Sequence, residues 1–168
     1  MNFQQISPNE LQDNPFALLG DEWALLTAGD GLAGYNPMTV SWGGVGVIWG
    51  KPAATVYVRP QRHTFGLMEQ SGHYTLSFYG KDHRDALAFC GSKSGRDYDK
   101  AKECGLTPVE LDGGVAFEEA RLVLVCKKLY WNDIDPAHFI DPSIDPANYP
   151  NRDYHRMYIG AITAAYTK

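Results

Sequence analysis

The clearest hydrophobic alternation in the chain lies between His73 and Tyr79. Tyr74, Leu76 and Phe78 fall on one side, Thr75, Ser77 and Tyr79 on the other, which predicts a strand. Glu22 to Ala28 is a second strand-like run, closed by the turn residues Gly29-Asp30-Gly31. Met38 to Trp42 and Ala53 to Val58 follow as strands, with Lys51-Pro52 marking a turn between them. Ala54-Thr55-Val56-Tyr57-Val58 is dense in β-branched and aromatic residues, and Arg59-Pro60 ends it because proline removes a donor and restricts its predecessor. Val115 to Phe117 is a short strand, Ala120 to Trp131 the longest strand signal, and Met157 to Tyr166 a closing strand.

Helical signals are shorter. Ser7-Pro8-Asn9-Glu10 is a capping box opening a short helix, with Ser at N-cap, Pro at N1 and Glu at N3. Gln61 to Gln70 reads as a helix, as does Asp82 to Cys90 with Leu87 and Phe89 inward. Asp97 to Cys104 is another, stopped by Gly105. Asp133 to Asp153 is a Pro- and Asp-rich loop region. The inventory is six or seven short strands in succession with a few interposed helices. Such a mainly β pattern favours an antiparallel barrel over a doubly wound parallel sheet.

The chain has 168 residues, which suits one domain spanning residues 1–168, and it holds no repeat or linker that would split it. Its net charge of −5 argues against a protein whose main task is gripping nucleic acid, but leaves room for a local basic pocket around one phosphate. No stretch reaches the roughly 20 apolar residues that span a bilayer. Met1 to Leu19 has neither a positive n-region nor an apolar h-region, so no secretory leader is expected and a cytoplasmic setting fits. Cys90, Cys104 and Cys126 are odd in number and form no CxxC pair, so reduced thiols are expected and a disulfide or thiol-redox role is not.

Three segments carry candidate chemistry. Asn36-Pro37-Met38-Thr39-Val40-Ser41-Trp42-Gly43-Gly44 sets an aromatic and two hydroxyls beside glycines that let backbone approach a flat ligand. The alternative is a barrel strand ending in a tight turn. Arg59-Pro60-Gln61-Arg62-His63-Thr64 places two arginines and a hydroxyl at a strand end just before a helix. A helix N-terminus favours anions, and arginine recognises phosphate through two parallel donors. The alternative is a solvated charged turn with Thr64 as helix cap. Gly91-Ser92-Lys93-Ser94-Gly95-Arg96-Asp97, followed by Lys100, has the composition of a phosphate-cradling loop without the P-loop pattern, or is a surface turn. His63, His73, His83 and His138 form no ligand pattern, and Asp135, Asp141 and Asp145 each precede a proline in turn-forming steps, so no metal site is expected. Tyr149, Tyr154 and Tyr158 could line a substrate mouth or a subunit contact.

Taken in order, NPMTVSWG at 36–43, Trp49 with Lys51-Pro52, VRPQRHT at 58–64, YTLSFYG at 74–80, CGSKSGRDYDK at 90–100, EARLVLVCK at 119–127 and HRMYIG at 155–160 resemble the flavin-reductase-like FMN-binding split-barrel family, the group that includes flavoredoxin-type proteins. The resemblance runs from about Gly20 to Tyr166. It implies an antiparallel Greek-key split β-barrel that forms homodimers. It implies that Asn36, Met38, Thr39, Val40, Ser41 and Trp42 lie along the flavin ring, and that Arg59, Arg62, His63 and Thr64 hold the phosphate. Ser92, Lys93, Ser94, Gly95 and Lys100 would face the flavin tail. His155 matches a position near the nicotinamide, where it would orient the amide or supply a proton, since histidine titrates near neutral pH. Ala161 departs from the family pattern, which commonly has an acid there. The implied activity is an NAD(P)H-dependent flavin or flavoprotein reductase working through FMN, with NADH or NADPH as co-substrate. The alternatives are an electron-transfer flavoprotein that serves a redox partner protein without binding nicotinamide, and a non-redox flavin-binding barrel.

Overall fold

The computed structural model describes residues 2–168; Met1, the start of the N-terminal stretch read above, lies outside the described residues. The strands are β1 (Gln4–Ile6), β2 (Ala24–Gly29), β3 (Tyr35–Val40), β4 (Gly43–Ile48), β5 (Lys51–Val58), β6 (His73–Phe78), β7 (Pro108–Leu111), β8 (Gly114–Phe117), β9 (Leu122–Asp133) and β10 (Arg156–Thr167). The helices are α1 (His63–Gln70), α2 (Arg84–Ser92), α3 (Lys100–Glu103) and α4 (Ile144–Asn148). Every strand pairing is antiparallel. The main sheet runs β3-β2-β6-β9-β10-β5-β4, with β1 on β10, and β7–β8 form a separate hairpin.

The two edges of this sheet, β3 and β4, are consecutive in the chain and joined only by Ser41-Trp42. Such a link reaches about 11 Å at most, so the sheet has to roll until its edges come close. No β3–β4 ladder forms among the described residues, and the roll stays open along that seam.

Rolling creates two cores. Inside it, Leu26, Val56, Tyr74, Leu76, Phe78, Leu124 and Tyr158 pack together with the one-turn π-helix residues Leu18 and Leu19. On the outer face of β2, β6 and β9, Leu25, Val123 and Val125 meet Leu87 and Cys90 of α2, Ala101 of α3 and Phe117 of β8. β6 is therefore buried on both faces: the alternation between its Tyr74 side and its Thr75 side separates one core from another rather than core from solvent. The interior is filled tightly at Gly160, where a Cβ would lie 2.7 Å from the Tyr74 hydroxyl and 2.8 Å from its ring. That hydroxyl donates to Ala54 O at 2.8 Å, bracing the roll across its width.

Several expectations shift. Among the described residues there are ten strands rather than six or seven. Gly43, Gly44 and Gly46 hid β4, which pairs fully with β5. The β4–β5 turn is Trp49-Gly50, both at left-handed φ of 52° and 68°, so Lys51-Pro52 belongs to β5 and is not the turn. β3 starts at Tyr35 and ends at Val40, upstream of the Met38–Trp42 strand read from sequence. Only Lys100–Glu103 of the expected Asp97–Cys104 helix is helical, with Asp99 accepting from Lys102 N–H as its cap. The capping box at Ser7 forms, on a single 3₁₀ turn.

Candidate functional site

Strand β3 carries the first candidate segment to the seam. Its alternation sends Met38 and Val40 into the inner core, while the Thr39 hydroxyl donates to Leu87 O of α2 at 2.5 Å. Past Val40 the chain leaves the ladder, and Ser41 and Trp42 face a cavity of about 200 Å³. Met38 to Trp42 form one wall; Tyr57, Arg59, Arg62 and His155 complete it. A second cavity of about 180 Å³ is lined by Gln61 to Thr64, Ser92 to Arg96 and Lys100. Arg62 belongs to both, so the first segment and the two candidate phosphate segments meet at one side chain. Arg59 lines only the first cavity. A larger cavity of about 480 Å³ lies beyond Gly95, Arg96 and Lys100; its walls carry Asp97 and Asp99, which suit an anion poorly.

Arg62, not Thr64, is the N-cap of α1, and no side chain satisfies that helix start. The Phe65 amide is taken by Arg62 O at 3.0 Å, which leaves the His63 and Thr64 amides of the first turn for an anion. Thr64 is fully buried and accepts from Asn36 Nδ2 at 2.8 Å. Asn36 also fixes the 92–95 loop: a Cβ on Gly95 would come within 1.8 Å of Asn36 Oδ1 and 2.9 Å of the His63 ring, so only glycine fits there. His63 is held below its ordinary pKa by burial and by the nearby Arg96 and Lys100.

The cations differ in how far they are committed. Arg62 donates through Nη1 to Gly91 O at 2.7 Å and through Nη2 to Cys90 O at 3.2 Å, tying α1 to the C-terminal turn of α2. Arg59 pairs with Asp153 at 2.5 Å, donates to Asn148 O at 2.9 Å and lies 5.1 Å from the Tyr149 ring centre. It clasps the 148–153 loop to β5. Lys100 is buried and donates to Pro37 O at 3.0 Å and Cys90 O at 2.9 Å. Two of its three ammonium donors are used, and burial followed by the charge of Arg62 lowers its pKa to about 8. Ser92, the last residue of α2, and Lys93 after it are exposed, and Ser94 Oγ accepts from Arg96 N–H at 3.2 Å. Arg96, which belongs to the third candidate segment but is not among the residues expected to face the flavin tail, lines the second cavity and reaches back to Gln61 O at 3.2 Å.

His155 is 8% exposed, with its Nδ1 2.9 Å from the Tyr149 hydroxyl and its ring 5.2 Å from that of Trp42. Burial, then the charge of Arg59, pushes its pKa down to about 4. At neutral pH the imidazole is uncharged. This burial works against a histidine that titrates near neutrality. The residue presents a fixed hydrogen-bonding edge rather than a proton ready to leave.

Among the residues unread beforehand, Tyr57 was detectable, since it faces away from buried Val56 and Val58 on an alternating strand. Asp153 sits in a loop without periodicity and carries no such signal, whereas Tyr149, expected at a substrate mouth or a subunit contact, lies beside the site. Tyr149 and Tyr154 stack at 4.9 Å beside the site, whereas Tyr158 points into the inner core and donates to Glu69 at 2.5 Å. Among the described residues no cluster of three metal-ligating side chains occurs.

Solved structures share this architecture. A flavin reductase with a split-barrel domain from Shewanella frigidimarina, itself described as putative, superposes with a TM-score of 0.68 at 19% identity, over 96% of this chain and 77% of that one. Flavoredoxin of Desulfovibrio vulgaris gives 0.67 at 20% identity, over 87% and 69%. The NADH:FAD oxidoreductase of Streptomyces globisporus, in complex with NAD and FAD fragments, gives 0.63 at 13% identity, over 88% and 74%. At these identities the likeness establishes the fold, a mostly β antiparallel split barrel. No curated protein sequence matches the chain. The sequence profile of the flavin reductase like domain matches residues 18–168, and on that match the chain belongs to the flavin reductase like domain family.

Proposed function

We propose that this protein, as one domain over residues 1–168, binds FMN as a resident group and works as an NAD(P)H-dependent flavin or flavoprotein reductase. The observation that carries the reading is the junction at Arg62 of a groove walled by Met38 to Trp42 with a cationic pocket at the α1 start. The residues fit a flavin mononucleotide. The His63 and Thr64 amides at the start of α1, the spare donor of Lys100 and the Arg96 guanidinium suit a phosphate dianion. Gly95, packed on Asn36 without room for a side chain, brings the loop close to that position.

Bound FMN would supply the hydride- and electron-accepting chemistry. The protein's part is positioning. Trp42, half exposed at the seam and stacked near His155, would cover the ring groove and exclude water. His155, uncharged and held by Tyr149, would orient a nicotinamide amide through its free ring nitrogen. Ala161, on β10 opposite Lys127 and Ala53, leaves no acid beside Gly160, and this favours a second reading as an electron carrier that serves a protein partner. We further propose a homodimer: Val47, Trp49, Leu129, Tyr130 and Trp131 are exposed apolar residues on the β4–β5 hairpin and the outer half of β9, and Trp49 and Tyr130 lie 6.2 Å apart. No helix among the described residues is long and apolar enough to cross a membrane.

The test is an anaerobic absorbance spectrum with FMN, before and after NADH and then NADPH. A perturbed flavin spectrum that bleaches with either nucleotide supports the reductase. A bound flavin that stays oxidised supports the electron carrier. A flavin spectrum identical to that of free FMN would overturn both.

A further inference from the structure

Cys90 and Cys104 are 14 residues apart in sequence, but their sulfur atoms lie 3.9 Å apart. Cys90 ends the second turn of α2 and is fully buried in the outer core. Cys104 caps α3 and is half-buried, its sulfur 3.8 Å from Ala86 O. A disulfide needs a sulfur separation of about 2.05 Å, so an approach of roughly 2 Å closes the bond. We propose that Cys90 and Cys104 are an oxidisable pair whose disulfide encloses the 92–100 segment and fixes the phosphate pocket.

The enclosed stretch contains Ser92 to Arg96 and Lys100, most of the wall of the second cavity. The main chain of Cys90 is part of the same construction, because its carbonyl accepts from both Arg62 and Lys100. A bond from Cys90 to the end of α3 therefore anchors both ends of the loop to the turn that holds those two cations. Before oxidation the loop is held at its tip, by Gly95 against Asn36, and by the buried Lys100.

Accessibility sets the order of events. Hydrogen peroxide is the oxidant class required. Cys104, the less buried partner, reacts first: its sulfur forms a bond to one peroxide oxygen, the O–O bond breaks, and the departing hydroxide takes the thiol proton as water. The Cys90 sulfur then attacks the Cys104 sulfenic sulfur. The S–S bond forms, the S–O bond breaks, and the second hydroxide leaves as water with the Cys90 proton. Two thiols are oxidised and one peroxide is reduced to two waters. Burial raises both thiols, Cys90 to about 12, so thiolate is scarce and the reaction answers sustained rather than brief exposure. Its rate climbs with pH. Cys126, fully buried in β9, serves as the unreactive internal reference.

Disulfide formation stands apart from the flavin reading; its effect on FMN rests on that reading, so the two are measured separately. The protein is treated with hydrogen peroxide and digested without reductant, and the peptides are weighed. The expected product is a Cys90–Cys104 linked pair lacking two hydrogens, absent in Cys104→Ser and restored to thiols by dithiothreitol. Closure of a loop of this length raises Tm by roughly 5–10 °C. FMN release from the oxidised protein is expected to slow several-fold, while reduced Cys104→Ser releases FMN at the wild-type rate. Oxidation of Cys104 to sulfinic acid with no linked peptide would overturn the proposal. A linked peptide with unchanged FMN release would remove its functional half, and a linked peptide in a protein that binds no FMN would count against the flavin reading alone.

Discussion

Acidification from pH 7 to pH 4 provides a sharp test of the buried His155. Above its ordinary pKa of 6.5 the imidazole is neutral in both the folded and the unfolded chain and contributes no pH dependence. Below 6.5 the unfolded chain takes up a proton, while the folded protein, with its pKa near 4, does not. The unfolded state is thus favoured as pH falls, and the loss is complete near pH 4. The displacement from 6.5 to about 4 corresponds to about 3.5 kcal/mol, at about 1.4 kcal/mol per pH unit; residual solvent contact makes that an upper value. Asp133, held low chiefly by its hydrogen bond from Arg156, and Asp153, held low chiefly by Gln61, lose their contribution only at lower pH. His63 shifts in the same direction as His155, but it is present in wild type and variant alike. Urea unfolding at intervals between pH 4.5 and 7 is therefore compared between wild type and His155→Gln. The variant should show a slope shallower by close to one proton. Superimposable slopes would refute the buried, uncharged assignment.

Lys100, at a pKa of about 8, should be driven toward its charged form by a phosphate dianion, so FMN binding near pH 8.5 takes up a proton. Calorimetry in buffers of different ionisation heat should register this uptake for FMN and not for riboflavin. Gly160→Ala should cost about 3 kcal/mol by urea titration, because the added methyl meets the fully buried Tyr74 ring at under 3 Å. Gly95→Ala should weaken FMN binding at least tenfold by fluorescence titration, since the loop has to move off Asn36. Arg59→Ala removes the clasp on Asp153 and Asn148, and limited proteolysis should then cut the 134–154 loop several-fold faster.

Strands with a dense β-branched core, such as Ala54 to Val58, and the long β9 were legible because their local preference agrees with their final place. β4 was not, since its three glycines carry no pattern and its pairing is decided by the Trp49-Gly50 turn. The three candidate segments were legible as polar, Gly-rich interruptions, and the fold brings them to one junction at Arg62. What each cation does there was not legible. Whether Arg59 or Arg62 is free depends on carbonyls and a carboxylate that lie 28 to 94 residues away. The Cys90–Cys104 approach escaped for the same reason, since it is made by α2 and α3 packing on one core and not by local spacing.

The link between β3 and β4 bears on how the molecule reaches its folded state. Neighbouring strands joined by two residues ordinarily zip into a hairpin within microseconds. Here that hairpin would be a trap, because β3 and β4 belong to opposite edges and their partners, β2 and β5, are reached by different routes. A two-residue hairpin needs left-handed backbone, supplied best by Asn-Gly. Ser41-Trp42 supplies neither residue, whereas the wanted hairpin eight residues later has its turn at Trp49-Gly50, with both residues left-handed. The sequence thus promotes one early zipper and withholds the other. Rewriting Ser41-Trp42 as Asn-Gly should add a slow refolding phase in stopped-flow experiments, as chains that zip β3 to β4 first have to come apart before the roll can close.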